Sequence, residues 1–228
     1  MQLLSVHAWD IKQLVDDHRS RFDLGIFACG YESRSTALAR SLDHSRFGAL
    51  VAFSFKELSE MASRTEARKY YDALGGIQSF NLKGSDDIGV YEALRALTSS
   101  IDENKPLRVF VDYSSMSRVW YGAILIFFRH STRKSPVDLF LAYMAGMYRG
   151  EVRANQVEII TAVPGFEGIA AGAGSSCAVF ALGFDPWCAF AIVERIEPDE
   201  VWALLAERPD LPTYLKTARE LNKDFIDT

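Results

Sequence analysis

Asp112, Tyr113, Ser114, Ser115, Ser117 and Arg118 fall in one short stretch, between the apolar run 107–111 and the apolar run 119–128. An acid, several hydroxyls and a cation at the point where a strand hands over to a helix is the composition of a ligand pocket. In open α/β sheets, ligands sit outside the carboxyl ends of the strands, where the N–H groups of the next helix hold anionic groups. Ser114, Ser115 and Arg118 are the expected contacts to phosphate or ribose, Arg118 through its planar donor fork, and Tyr113 is a wall for a flat ring. A second cluster, Gly30-Tyr31-Glu32-Ser33-Arg34-Ser35, follows the apolar run 24–29. Gly30 permits a sharp turn off the strand, Tyr31 supplies another wall, and Arg34 and Ser35 add anion-binding groups. Glu32 and Asp112 are the two carboxylates able to act as an acid/base pair, or to orient a ribose, if the protein is a hydrolase. The plainer alternatives are a solvated Arg118 and an Asp112 that only stabilises a helix N-terminus.

Other chemistries lack their residues. There is no GxxxxGK[ST] loop and no GxGxxG after the first strand, and Gly172-Ala173-Gly174 precedes a strand, the wrong context for a dinucleotide fingerprint. No GxSxG elbow is present, and no histidine lies near the serines to activate them. His7, His18, His44 and His130 are scattered, and Cys29, Cys177 and Cys188 have no CxxC spacing, so neither a metal nor any other cofactor is expected. An odd number of cysteines beside apolar runs fits reduced core thiols in a cytoplasmic protein.

The elements that must position these clusters follow a strand–helix rhythm. An amphipathic helix is expected over 8–19, from Trp9, Ile11, Leu14 and Val15. Strands are expected over 24–29, 49–55, 77–82 and 107–111, with helices behind them to 42 and over 57–74, 88–101 and 117–129. Strands without polar alternation are buried on both faces, the mark of a parallel sheet covered by helices. The helix from Ser117, apolar nearly all round, belongs either in the core or at a subunit interface. Strands over 137–143 and 157–163, joined without a convincing helix, are expected to pair antiparallel. The fold class is therefore α/β, a doubly wound, mostly parallel Rossmann-like sheet with helices on both faces and that terminal antiparallel pair.

Residues 1–163 form the Rossmann-like core in this scheme, 164–176 a small-residue loop or linker, and 177–228 a further βαβα segment packed on or extending the same sheet. The run from Val179 to Asp185 echoes that from Ile26 to Glu32 in its strand, glycine, aromatic and acid, and Gly165-Phe166-Glu167 repeats the last three positions. A length of 228 residues accommodates this. A net charge of −5 argues against nonspecific nucleic-acid binding, which needs a concentrated basic surface. The longest apolar run, 119–128, is far short of the ~20 residues that span a bilayer, so no membrane association is expected.

The two clusters together resemble those of the Rossmann-like ligand-sensing domains of bacterial defence systems, the CARF class. There a small-residue turn after the first strand and a hydroxyl-rich, basic motif after the fourth bind a cyclic oligonucleotide across a homodimer. The corresponding segments are Gly30 to Ser35 and Asp112 to Arg118, within 24–163. The second motif departs from the usual consecutive glycines and lysine, having Ser-Ser-Met-Ser-Arg. Glu32 would also repel a phosphate unless it met ribose or a base edge. The resemblance implies a homodimeric sensor or regulatory component in antiviral defence that binds a nucleotide-like small molecule. The alternatives are a nucleotide- or nucleoside-cleaving hydrolase using Glu32 and Asp112, and a noncatalytic scaffold subunit that docks a protein partner.

Overall fold

The apolar run after Phe22 becomes the central strand of a parallel sheet. The computed structural model describes residues 20–57, 62–146, 160–168, 174–207 and 213–227. The helix expected over 8–19 and most of the small-residue loop lie outside them. Strands β1 (Phe22–Cys29), β2 (Phe47–Phe55), β3 (Gln78–Leu82), β4 (Leu107–Asp112) and β5 (Val137–Ala142) form one sheet in the order β3-β2-β1-β4-β5. All four pairings are parallel. The chain between them supplies α1 (Ala37–Ser41), preceded by a 3-10 turn over Ser33–Thr36, then α2 (Ala62–Ala73), α3 (Asp87–Thr98) and α4 (Arg118–Arg129).

Side-chain alternation along the buried strands divides the core into two layers. Leu24, Ile26 and Ala28 of β1 pack with Val51 and Phe53 of β2 against Val90, Leu94, Trp120 and Ile124 of α3 and α4. Phe27 and Cys29 pack with Ala52 and Phe110 against Leu38 of α1 and Ala67 and Tyr71 of α2. Two apolar faces on one sheet require two layers of helices, which is the doubly wound arrangement. The all-round apolar character of α4 also has its explanation here. Trp120, Ala123, Ile124 and Phe128 face the sheet, while Val163 and Phe166 lie over Gly122, where a Cβ would come 2.9 Å from Val163.

Among the described residues no antiparallel strand pairs with β5. β5 is parallel to β4, because it is delivered by a helical crossover through α4, the connection that parallel neighbours need. Of the other expected strand, 157–159 lie outside the described residues and 160–163 are irregular.

By contact the chain divides into two units, Met1–Met147 with Val163–Phe166, and Tyr148–Ala162 with Glu167–Thr228. The second holds β6 (Cys177–Leu182), α5 (Pro186–Ile196), β7 (Glu200–Leu205), α6 (Thr213–Leu221) and α7 (Lys223–Ile226). β6 and β7 pair parallel in a sheet of their own and do not extend the first. Their shared core is small, with Leu182, Ala189 and Phe225 at its centre. Gly183 here serves structure, its carbonyl accepting from the Asn222 amide at 2.8 Å. The cysteines are all free, but only Cys29 is buried. Cys177 and Cys188 are exposed because they fall on the outward side of β6 and of α5, away from that small core. Among the described residues no helix is long and apolar enough to cross a membrane, and no group of side chains could hold a metal ion.

Candidate functional site

The strand order reverses direction at β1 and β4, which are sheet neighbours although far apart in sequence. The loops that leave them must therefore open side by side at the carboxyl edge, the crevice position in such sheets. Gly30 and Ser115 meet there: a Cβ on residue 30 would stand 2.8 Å from the Ser115 Cβ. Only glycine allows that approach without displacing the second loop. Ser115 Oγ reaches Glu32 Oε2 at 3.4 Å.

Arg34 ties the first loop to the end of β5. Its Nε donates to Glu32 Oε2 at 2.5 Å, and its Nη1 donates to Tyr143 Oη and the Met144 carbonyl, each at 2.9 Å. Burial disfavours the guanidinium charge, but the bonds to Glu32 and Tyr143 outweigh it and raise the pKa above the ordinary value. Arg34 is thus a clamp between the loop after β1 and the end of β5, held through its Nε and Nη1. Ser35 is 2% exposed, and its carbonyl accepts from the Tyr71 hydroxyl at 2.8 Å, so it belongs to the packing beneath the loop. Tyr31 stays partly exposed at the rim, its ring 5.8 Å from that of Phe55.

The acid and hydroxyls after β4 separate by depth. Asp112 is 2% exposed and Ser114 4%. Asp112 Oδ1 accepts from the Ser114 N–H at 3.0 Å and from its hydroxyl at 2.5 Å, and Ser114 Oγ in turn accepts from the Met144 N–H at 2.7 Å. Burial raises the Asp112 pKa, opposed by the Ser114 hydrogen bonds and the Arg34 charge. Asp112 and Ser114 therefore shape the turn and hold it to the end of β5, while Ser115 stands at the crevice. Glu32 and Asp112 do not present a matched acid/base pair: one is engaged by Arg34 and Ser115, the other is sealed under its own turn. Tyr113 stacks on Tyr143, ring centroids 5.2 Å apart.

This placement of Asp112 has a measurable consequence. A carboxyl whose pKa is raised on folding stabilises most at acid pH and loses that contribution as pH rises from about 3.9 through the raised value. The stability of the natural protein relative to Asp112→Asn should fall across that window in urea titrations. Asp112→Ala should cost about 1–3 kcal/mol, because both Ser114 donors lose their acceptor.

On the other flank, Ser117 caps α4, its Oγ accepting from the Trp120 N–H at 3.1 Å and donating to the Gly84 carbonyl at 2.6 Å. Trp120 Nε1 donates to the Lys83 carbonyl at 2.8 Å. The Gly84 N–H lies 3.2 Å from Glu57 Oε1 after β2. Arg118, the first residue of α4, is exposed and has no partner among the described residues. Sequence spacing pointed to neither Lys83-Gly84 nor Tyr143-Met144 as part of this edge, since Lys83, Gly84 and Met144 act through backbone groups and Tyr143 lies far in sequence from both loops. Comparison with family models, with curated proteins and with solved structures finds no match to this chain.

Proposed function

We propose that the first unit binds a nucleotide-like ligand in the crevice between the loops after β1 and β4. The observation that carries this reading is the juxtaposition of Gly30 and Glu32 with Ser115 where the strand order reverses. Ser115 and the Glu32 carboxylate offer partners for ribose hydroxyls. Tyr31 supplies a wall for a base, and Arg118, with the free N–H groups that begin α4, meets a phosphate. A cation in the first turn of a helix opposes the helix dipole, and α4 has no acid there. That arrangement costs stability unless an anion visits it. Support for a homodimeric sensor or regulatory component of bacterial defence comes from the likeness of the two loop motifs to the CARF class.

A scaffold role has one observation in its favour. Val179, Trp202 and Leu204 lie on one face of the β6–β7 sheet, each more than half exposed, an apolar row of the kind that seats a protein partner.

A thermal-shift panel of mononucleotides, dinucleotides and cyclic oligonucleotides tests the leading reading. A ligand that binds the folded state at a hundred times its Kd should stabilise by about 2.7 kcal/mol. If no member of the panel moves the melting temperature, nucleotide binding is excluded in favour of the scaffold role.

A further inference from the structure

α3 and α4 pack side by side on one face of the sheet. Each carries the chain back to the start of the next strand, so their last turns meet at the amino edge, opposite the crevice. Between those turns and the loops 99–103 and 130–133 lies a cavity of about 920 Å³, a volume that admits a small molecule. Ile101, Ile126, Phe127 and Phe128 supply an apolar wall. The Phe127 ring lies within 26° of parallel to that of Tyr91, centroids 6.5 Å apart.

The acceptors around this cavity are already engaged. The Leu94 and Ala96 carbonyls accept from the Thr98 and Ser99 hydroxyls at 2.8 and 2.9 Å. Those of Thr98, Ile126 and Phe128 accept from backbone N–H groups that close the helix ends. The Ile101, Asp102 and Lys105 carbonyls take the two terminal nitrogens of Arg133. Asp102 Oδ1 accepts from the Asn104 N–H and side-chain amide, each at 3.0 Å, and Glu103 pairs with Lys134 at 2.5 Å. The strongest donors are not engaged. Arg95 and His130 line the cavity, and their side chains have no hydrogen bond or ion pair among the described residues. Arg95, Arg133 and Lys134 thus stand against Asp102 and Glu103, one cation in excess, with the His130 ring beside them. The last turns of both helices favour such cations, which keeps them at this end without using their N–H groups.

We propose that the amino-edge cavity is a second binding site of the first unit, for a small aromatic carboxylate. The ring lies against Phe127 and Ile101, and the carboxylate takes the free N–H donors of Arg95 and His130, a charge-assisted contact that a guanidinium makes in pairs. This site goes beyond the crevice and does not depend on its ligand. α4 begins at one and ends at the other, and its 12 residues separate them by about 18 Å.

Naphthalene-2-carboxylate is the probe, titrated into the full chain at constant ionic strength while backbone amide resonances are followed. The shifts should gather at 98–103 and 127–133, and the melting temperature should rise. Naphthalene-2-methanol, the ring without the charge, and acetate, the charge without the ring, should each bind at least about tenfold more weakly. Arg95→Gln, at an exposed helix position, should melt with the natural protein when no probe is added and bind the probe about tenfold more weakly. Arg95→Lys should recover part of that loss. No shift at about 1 mM probe, where a site of that Kd is half filled, overturns the proposal, as do shifts that gather at 30–35 and 113–118 instead. Unchanged binding by Arg95→Gln, or equal binding of the alcohol, also overturns it and leaves Arg95 and His130 as cations that serve only the helix ends.

Discussion

Trp120→Ala should lower the stability of the first unit by about 3–5 kcal/mol, the range for removing a fully buried aromatic side chain. Trp120 is 0% exposed. It stacks on Phe55 with centroids 4.1 Å apart and meets Phe53 edge-on at 6.0 Å, so β2 and α4 share one aromatic stack. Its indole N–H also fixes the Lys83 carbonyl. Loss of the ring therefore opens a cavity and frees the loop after β3 at once. Urea unfolding followed by near-ultraviolet circular dichroism would measure the change. A loss below about 1 kcal/mol, the size of an average substitution, would mean that the stack contributes far less than its burial implies.

Gly30→Ala should separate the two loops of the crevice. The new methyl would stand 2.8 Å from the Ser115 Cβ and 3.3 Å from its carbonyl, and this backbone contact cannot relax by a rotamer change. Overpacking of this kind costs about 1–3 kcal/mol, and the stabilisation by any crevice ligand should disappear with it. Adding Ser115→Gly removes the clashing Cβ. The double variant should recover part of the lost stability, with a coupling of about 0.5–3 kcal/mol between the two positions. It should not recover full ligand response, since the Ser115 hydroxyl is gone. Strict additivity of the two substitutions would show that the loops are not in contact.

The parallel sheet was legible because its strands are apolar without alternation, as in 24–29 and 107–111, and because each is followed by a helix-length segment. The convergence of the loops after the first and fourth strands followed from that rhythm. What spacing did not reveal is depth. Asp112 and Ser115 belong to the same polar turn, yet one is sealed and the other faces the crevice. The difference arises because Ser114 is drawn under by the Met144 N–H, a partner from the far side of β5. Arg34 looked like an anion contact for the same reason: its acceptors at Tyr143 and Met144 are distant in sequence.

Ser117, the cap of α4, has a wider effect than its own helix. Its hydroxyl joins the loop after β4 to Gly84 after β3, and Gly84 is joined to Glu57 after β2. On the other flank Ser115 links to Glu32 after β1, and Arg34 and Ser114 link to Tyr143 and Met144 after β5. The ends of all five strands are thus laced together by side chains before any ligand arrives. The crevice is preorganised: the entropy of ordering its walls is lost during folding, and the free energy of association goes into affinity and selectivity for shape.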